Sequence, residues 1–200
     1  MRLFNWIIQA LKNPRELSTI FPSSRFLARK IADQMDLDQP CCIAELGPGD
    51  GALTEEIVER LHPDSKLLLI EINDFFSKQL KEMYSDHEKS SAIKVLNRSA
   101  DELDQICVEE GMEGLDYVVS GLPLSTLPDS LAMSILRTVR DSLKPTGRYV
   151  QFQYSLDYKD DIESIFGPVG LHRVWLNIFP ARVYVADKAN IPSPEKNKKE

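Results

Sequence analysis

The sequence has few of the residues that build disulfide frameworks, metal sites or membrane spans. Its 200 residues include three cysteines and three histidines, and neither set has the spacing of a zinc site or of paired disulfides. No unbroken apolar run, Leu67 to Ile70 being a typical one, approaches the roughly 20 residues that cross a bilayer. No signal-peptide cleavage site follows the apolar N-terminus. These absences favour a cytoplasmic protein with one main domain and no metal ion.

Charge is divided unevenly along the chain. The formal net charge is −7, but residues 1–30 contain six basic residues and one acidic residue, which leaves −12 on the other 170. An acidic body repels nucleic acid phosphates, so a DNA or RNA substrate is disfavoured. The basic N-terminal segment favours contact with an anionic surface.

The first residues have the pattern of an amphipathic helix that ends at Asn13-Pro14. Its apolar positions are Leu3, Phe4, Ile7, Ile8 and Leu11. This helix could pack on the domain, or it could lie on a membrane, because Trp6 and the flanking basic residues are typical of interfacial helices. Both alternatives stay open.

Strand and helix patterns alternate through the rest of the chain. Strands are predicted at residues 41–46, 66–72, 93–96, 117–120 and 148–154, and helices at 25–35, 52–61, 74–84, 101–109, 129–143 and 158–166. Two final strands, 171–178 and 182–186, are joined by a connection too short for a parallel crossover, so they must form a hairpin.

We therefore predict an α/β fold with a doubly wound, seven-stranded and mostly parallel sheet that is closed by a C-terminal antiparallel hairpin. Residues 1–36 are assigned to N-terminal helices, in which Pro22-Ser23-Ser24 caps the second one. Residues 37–188 form the sheet domain, and 189–200 form a disordered tail.

A glycine-rich turn, Glu45-Leu46-Gly47-Pro48-Gly49-Asp50-Gly51, follows the first predicted strand. Its glycines permit a tight turn and a close approach of a ligand to backbone amides at a helix N-terminus. Glu45 is placed for a ligand's ammonium group. Glu71, 20 residues after Gly51, has the spacing of an acid that holds a ribose diol. The turn and the acid together predict a nucleotide-like ligand.

Asp101, in Ser99-Ala100-Asp101 after the third strand, occupies a place where an acid can accept from an adenine amino group; as a bare residue it could also cap the next helix. The order and position of these motifs resemble the class I S-adenosylmethionine-dependent methyltransferases over about residues 40–155. That resemblance implies S-adenosylmethionine as cofactor, held by Glu45, Gly47, Pro48, Gly49, Gly51, Glu71, Ile72, Ala100, Asp101 and Ser120. A dinucleotide-binding protein is disfavoured because its G-x-G-x-x-G spacing is not met.

The segment Ser120-Gly121-Leu122-Pro123-Leu124 ends the fourth strand, where this family holds the methyl acceptor. Adenine dimethyltransferases have Asn-Leu/Ile-Pro-aromatic at this station. Here Ser120-Gly121 replaces the Asn, and Leu124 replaces the aromatic residue that would stack on a flipped base. The segment therefore disfavours an adenine acceptor.

Several stretches together resemble the bacterial, rhizobial-type phospholipid N-methyltransferases. They are the amphipathic start, Pro22–Arg25 with Leu27-Ala28, Glu45–Gly51, Ser120–Leu124, Gln151-Phe152-Gln153-Tyr154, Trp175-Leu176-Asn177 and the segment 180–184. The resemblance implies stepwise methylation of phosphatidylethanolamine and its mono- and dimethyl derivatives towards phosphatidylcholine. It also implies that the N-terminal helix rests on the membrane. We expect a monomer at the inner face of the cell membrane.

We expect Ser120, Gly121 and Tyr154 to serve catalysis, with Ser120 or Tyr154 passing on the amine proton. Leu122, Pro123, Trp175, Arg182 and Tyr184 are expected to bind the lipid, because ring faces hold cations and a guanidinium pairs with phosphate. Two alternatives stay open. The acceptor could be a soluble amine or a ribosomal RNA adenine, or the protein could be a non-catalytic S-adenosylmethionine-binding protein at the membrane.

Overall fold

The computed structural model describes residues 24–153, 158–174 and 181–191 of the chain. Among these residues, the strands are β1 (Cys42–Leu46), β2 (Lys66–Ile70), β3 (Ile93–Leu96), β4 (Leu115–Ser120), β5 (Leu143–Gln153), β6 (Gly170–Val174) and β7 (Ala181–Asp187). The α-helices are α1 (Ser24–Ala32), α2 (Ala52–Arg60), α3 (Asp74–Ser85), α4 (Leu103–Glu109), α5 (Asp129–Ser142) and α6 (Lys159–Phe166). Short 3-10 helices cover Ser90–Ala92, Ala100–Glu102, Leu124–Thr126 and Lys188–Asn190.

The strands form one sheet in the order β3-β2-β1-β4-β5-β7-β6. The first five are parallel, and β7 runs antiparallel to both β5 and β6. The strand order reverses between β1 and β4, and such a switch point opens a crevice at the carboxyl ends of the strands. The predicted seven-stranded sheet with an antiparallel hairpin is confirmed.

Apolar residues fill both faces of the sheet, which explains the nearly unbroken burial of β1 and β2. Side chains of α4, α5 and α6 pack on one face. Side chains of α1, α2 and α3 pack on the other. The sheet thus holds the crevice between two rigid helical layers.

Helix α1 lies beside α2 and runs in the same direction. Arg25 lies 4.0 Å from Glu55, and further along Asp33 lies 2.9 Å from Arg60. Since α2 begins directly after the glycine turn, α1 begins at the same edge of the sheet. The chain therefore enters the described part of the fold next to the predicted cofactor turn.

Some boundaries differ from those predicted. β5 begins at Leu143 rather than at 148, because Leu143 pairs with Leu115 across a register shift in β4. A Cβ atom at Gly147 would lie 2.7 Å from the Leu115 carbonyl oxygen, so this glycine permits a close strand approach instead of a turn. β2 ends at Ile70, and Glu71 and Ile72 follow it. The second predicted helix ends at Ala32, three residues early.

Other predictions fall outside the described residues: the first amphipathic helix, Pro22-Ser23, Tyr154, Trp175 and tail residues 192–200. The division at residues 36 and 188 stays a prediction. Within the described ranges, no helix is long and apolar enough to cross a membrane.

Candidate cofactor and methyl-acceptor site

The glycine turn between β1 and α2 depends on left-handed backbone angles. Gly47, Gly49 and Gly51 have φ of 68°, 59° and 86°, which strain any residue with a Cβ atom. A Cβ at Gly47 would also lie 2.6 Å from Leu122 Cδ2, whereas a Cβ at Gly49 would meet no atom within 4 Å. Gly47 therefore lets the turn pack against the loop after β4, and Gly49 leaves open space beside the backbone of the turn.

The carboxylate of Glu71 braces this turn from the end of β2. Its Oε2 accepts from the Gly49 amide at 3.1 Å and its Oε1 from the Asn73 amide at 2.7 Å. The Asn97 side chain donates to the Glu71 carbonyl oxygen at 2.8 Å. Glu71 is buried, but the side chain of Ile72 beside it is 71% exposed. The edge of β2 thus offers a fixed acid next to an open apolar surface.

Glu45 is an acid buried at the end of β1, with only 2% of its surface exposed. Thr54 Oγ1 donates to Glu45 Oε2 at 2.8 Å. The pKa of Glu45 is raised to about 8, chiefly by burial and to a smaller extent by the neighbouring carboxylates of Asp50 and Glu71, while the hydrogen bond from Thr54 lowers it. A cationic ligand group would offset this cost, because an opposite charge favours the ionised acid.

The segment after β3 places Asp101 in the first turn of a 3-10 helix. Ser99, rather than Asp101, is the N-cap, and it forms a capping box with Glu102. The capping alternative for Asp101 is therefore wrong. Its carboxylate accepts from the Ser99 hydroxyl and lies half-exposed beside buried Ala100.

The loop after β4 lies against the glycine turn. The Gly121 amide donates to the Leu46 carbonyl oxygen at 3.1 Å, and a Cβ atom at Gly121 would lie 2.9 Å from a ring carbon of Phe152. Leu124 is fully buried and begins the next 3-10 helix. Ser120 to Pro123 thus form a fixed loop, the acceptor loop, at the end of β4.

The fold brings most of the predicted site residues to one edge of the sheet. The cofactor residues gather at the ends of β1, β2 and β3, and the acceptor loop lies beside them at the end of β4. Arg182 pairs in register with Gln153. Tyr184 pairs with Gln151, is 1% exposed and packs in the layer of α4, α5 and α6. The binding roles of Arg182 and Tyr184 stay predictions.

Tyr149 and Gln151, which were assigned no role from the sequence, lie under the acceptor loop. Tyr149 and Gln151 are fully buried on β5, and both join hydrogen bonds that reach the loop. A glutamine within the mainly apolar, buried segment Tyr149–Phe152 of β5 is the sequence signal that could have identified this network, because such a group needs partners.

Metal ligation is not seen in the described ranges, where no group of three or more His, Cys, Asp or Glu side chains could hold a metal ion.

The known proteins to which this chain is similar in sequence are methyltransferases. Residues 10–104 match the family model of the ribosomal RNA adenine dimethylases. An ornithine lipid N-methyltransferase of Singulisphaera acidiphila is 28% identical over 176 residues, which cover 84% of this chain and 90% of that protein. A ribosomal RNA small subunit methyltransferase A of Sulfurihydrogenibium is 34% identical over 100 residues, which cover 40% of this chain and 38% of that protein.

Among solved structures, the 1,6-didemethyltoxoflavin-N1-methyltransferase of Burkholderia thailandensis has the same fold. It was solved with 1,6-didemethyltoxoflavin and S-adenosylhomocysteine bound, and it superposes with a TM-score of 0.66 at 16% identity. The match covers 93% of this chain and 87% of that one. The Rossmann-like methyltransferase fold predicted from the sequence is confirmed.

Proposed function

We propose that this chain, a class I S-adenosylmethionine-dependent methyltransferase, methylates the amine of a membrane lipid headgroup. The predicted methyltransferase class and cofactor are confirmed by the family model, the lipid methyltransferase relative and the fold taken together. Our finer proposal is stepwise N-methylation of phosphatidylethanolamine towards phosphatidylcholine. It depends above all on the acceptor loop, which has neither the side-chain amide nor the aromatic ring of an adenine methylase.

The residues present fit the cofactor. The open space above Gly49 would let a ligand touch the backbone of the turn. The buried acid Glu45 suits an ammonium group, the braced acid Glu71 suits a ribose diol, and Ile72 beside it offers an apolar surface to a base. Asp101 stays our proposed acceptor for the adenine amino group.

When bound, S-adenosylmethionine supplies an electrophilic methyl group on a sulfonium that is already a good leaving group. The chain must therefore align a neutral amine and exclude water, and it needs no strong base. The acceptor loop supplies the alignment, since it is tied to β1 through the Gly121 amide. Ser120 is buried and accepts from the Leu122 amide at 3.3 Å, so its hydroxyl holds the loop. We keep Tyr154 as the proposed proton relay.

A ribosomal RNA adenine is the weaker alternative, although the family model names it. The matching region ends at residue 104, so it contains the cofactor motifs and stops before the acceptor loop. Leu124, at the position where adenine dimethyltransferases have the stacking aromatic residue, is fully buried and has no aromatic ring. The net charge of −12 outside residues 1–30 opposes RNA binding as well.

The position of α1 supports a membrane role for the N-terminal segment. Ser24 begins α1 next to the glycine turn, at the edge of the sheet that carries the acceptor loop. A basic amphipathic segment attached there would bring an anionic membrane to the same edge as the site. We therefore propose that residues 1–13 lie on the inner membrane surface and that a single copy of the chain acts there.

Labelled S-adenosylmethionine and defined vesicles test the reaction. Phosphatidylethanolamine vesicles that contain an anionic lipid should yield labelled mono-, di- and trimethylated lipids, separated by chromatography. Matched vesicles of phosphatidylcholine and the same anionic lipid should yield none. Label in ornithine lipid vesicles alone would move the acceptor to that lipid, the substrate named for the 28% identical relative. Label only in a soluble amine or in ribosomal RNA would overturn the proposal.

Deletion of residues 1–13 tests the membrane segment. Vesicle sedimentation should show that binding is lost, while calorimetry should show cofactor affinity within about twofold of the intact chain. A variant with Arg2, Lys12 and Arg15 replaced by Gln keeps the apolar face and should bind more weakly in a salt-dependent way. Loss of cofactor affinity together with vesicle binding would show instead that the segment completes the cofactor site.

A further inference from the structure

A chain of buried polar side chains runs beneath the acceptor loop. Ser120, Tyr149 and Gln151 are each at most 1% exposed, and Ser120 pairs in register with Gln151 across β4 and β5. The Tyr149 hydroxyl donates to Gln151 Oε1. The Gln151 carboxamide is therefore held in one orientation from below.

The other end of that carboxamide holds the loop. Gln151 Nε2 donates to the Leu122 carbonyl oxygen at 3.0 Å and to the Phe152 carbonyl oxygen at 2.8 Å, which uses both of its protons. The Leu122 carbonyl also accepts from the Leu124 amide at 2.9 Å. With two donors on its two lone pairs, this carbonyl has no free capacity for a substrate N–H group.

Stability alone does not account for a glutamine at this position. The hydrogen bonds of a buried carboxamide largely offset the cost of its desolvation, and replacing such polar partners by apolar groups of the same shape can be nearly neutral for stability. The feature that only the carboxamide provides is a directed donor to one carbonyl of the acceptor loop.

We propose that Gln151 is a positioning residue for methyl transfer: it fixes the acceptor loop through the Leu122 carbonyl, and Tyr149 fixes Gln151. This inference rests on the proposed function in that the acceptor is an amine aligned at this loop. Alignment dominates the chemistry, because a displacement of about 1 Å can cost on the order of a hundredfold in rate. The Leu122 carbonyl oxygen is then used to hold the loop in place, so other groups of the loop must hold the amine.

The first test compares two variants and a matched control on phosphatidylethanolamine vesicles. Gln151→Met keeps the volume and loses the donor, and it should lower kcat roughly ten- to a hundredfold, with cofactor affinity within about twofold. Tyr149→Phe should lower kcat less. The matched control is Tyr117→Phe, which removes a tyrosine hydroxyl from the neighbouring strand, where it accepts from the Asp36 amide at 3.1 Å, and kcat should stay within twofold. Equal effects of Tyr149→Phe and Tyr117→Phe would overturn the proposal.

Gln151→Glu adds a readout that general destabilisation does not produce. The introduced carboxyl still accepts from Tyr149, but it can donate to Leu122 only when protonated. Burial raises the pKa of such a group, so activity relative to the intact protein at the same pH should rise at least fivefold as the pH falls from 8 to 6. A ratio that does not change with pH would contradict a donor role.

Amide hydrogen exchange without any acceptor separates this inference from the proposed function. Exchange at Leu122 and Leu124 should be at least tenfold faster in Gln151→Met than in Tyr117→Phe. If the intact protein methylates no lipid but exchange accelerates as expected, the lipid proposal fails and the positioning role stands. If exchange at the loop is unchanged, the positioning role is wrong, whatever the substrate.

Discussion

The cofactor end and the acceptor end of the site lie on neighbouring strands but are built differently. At the cofactor end, one carboxylate, that of Glu71, accepts from the backbone amides of Gly49 and Asn73. At the acceptor end, side chains of β4 and β5 hold the backbone of the loop from below, with Gln151 as the donor. Backbone amides and glycine angles make the first end, whereas packed side chains from distant parts of the chain make the second.

This difference explains why the similarity to the adenine dimethylases covers the cofactor end and not the acceptor end. A short motif whose contacts are mainly backbone contacts can recur in proteins with many acceptors, and the adenine dimethylase model matches this chain only through residue 104. The acceptor end lies beyond that region. Substrate choice is therefore expected to depend on β4, β5 and the hairpin, and cofactor binding on β1 and β2.

The largest effects should come from the two glycines of the turn, which separate strain from packing. Gly49→Ala adds only left-handed strain of about 1–2 kcal/mol to folding, but its methyl group fills the space open to the ligand, so cofactor affinity should fall at least tenfold. Gly47→Ala adds the contact with Leu122 and should cost at least 1 kcal/mol more stability. Thermal unfolding and calorimetry measure both. If Gly49→Ala proves the less stable variant, the packing role of Gly47 is wrong.

Glu71→Gln should break the cofactor end alone. The amide has one oxygen for two backbone donors, and its NH₂ group would face an amide N–H, so cofactor affinity should fall about tenfold. Calorimetry of Glu59→Gln, an exposed position on α2, provides the matched control and should show no change. Comparable losses in both variants would point to net charge instead of the brace.

Gly121→Ala should disturb the acceptor end and leave the cofactor end intact. The added methyl would lie 2.9 Å from the Phe152 ring, so the ring or the loop must shift, and kcat for the lipid amine should fall about fivefold or more. Cofactor affinity should stay within twofold. A parallel loss of affinity, measured by calorimetry on the same preparation, would show that the two ends are not independent.

The last prediction concerns Glu45 and the pH dependence of stability. Its pKa rises from an ordinary 4.5 to about 8 in the folded state, so the folded protein binds this proton more tightly than the unfolded chain does. The free energy of unfolding without cofactor should therefore fall as the pH rises from about 4.5 to about 8, by up to about 1.4 kcal/mol per pH unit. Urea unfolding at several pH values measures the slope, and Glu45→Gln should reduce it. An unchanged slope would assign the pH dependence to other groups.

The sequence predicted the strands, the helices and the glycine turn of the cofactor end well because their determinants are local. Alternating patterns placed β1 to β4 and the helices between them within a few residues, and the glycine turn with Glu71 followed from spacing alone. The start of β5 was missed because Pro145 and Gly147 indicate a turn, whereas the pairing of Leu143 with Leu115 extends the strand. A strand partner 28 residues away leaves no local pattern.

Asp101 shows the limit at single-residue scale. An acid after a strand and before a helix is a plausible N-cap, but Ser99 two residues earlier takes that place with Glu102 as its partner. Both residues favour helix starts. Only the structure shows that Ser99 is the N-cap and that Asp101 lies in the first turn of the 3-10 helix.

By itself the sequence determined the fold class, the succession of strands and helices along the chain, the glycine turn and the divided charge, because each of these depends on local periodicity or composition. Only the tertiary structure decided that Tyr149 and Gln151 hold the acceptor loop, and that Tyr184 lies in the core. The reason is physical. The role of a buried polar group depends on its hydrogen-bond partners. Here β4 and β5 bring together residues that lie about 30 positions apart in the chain.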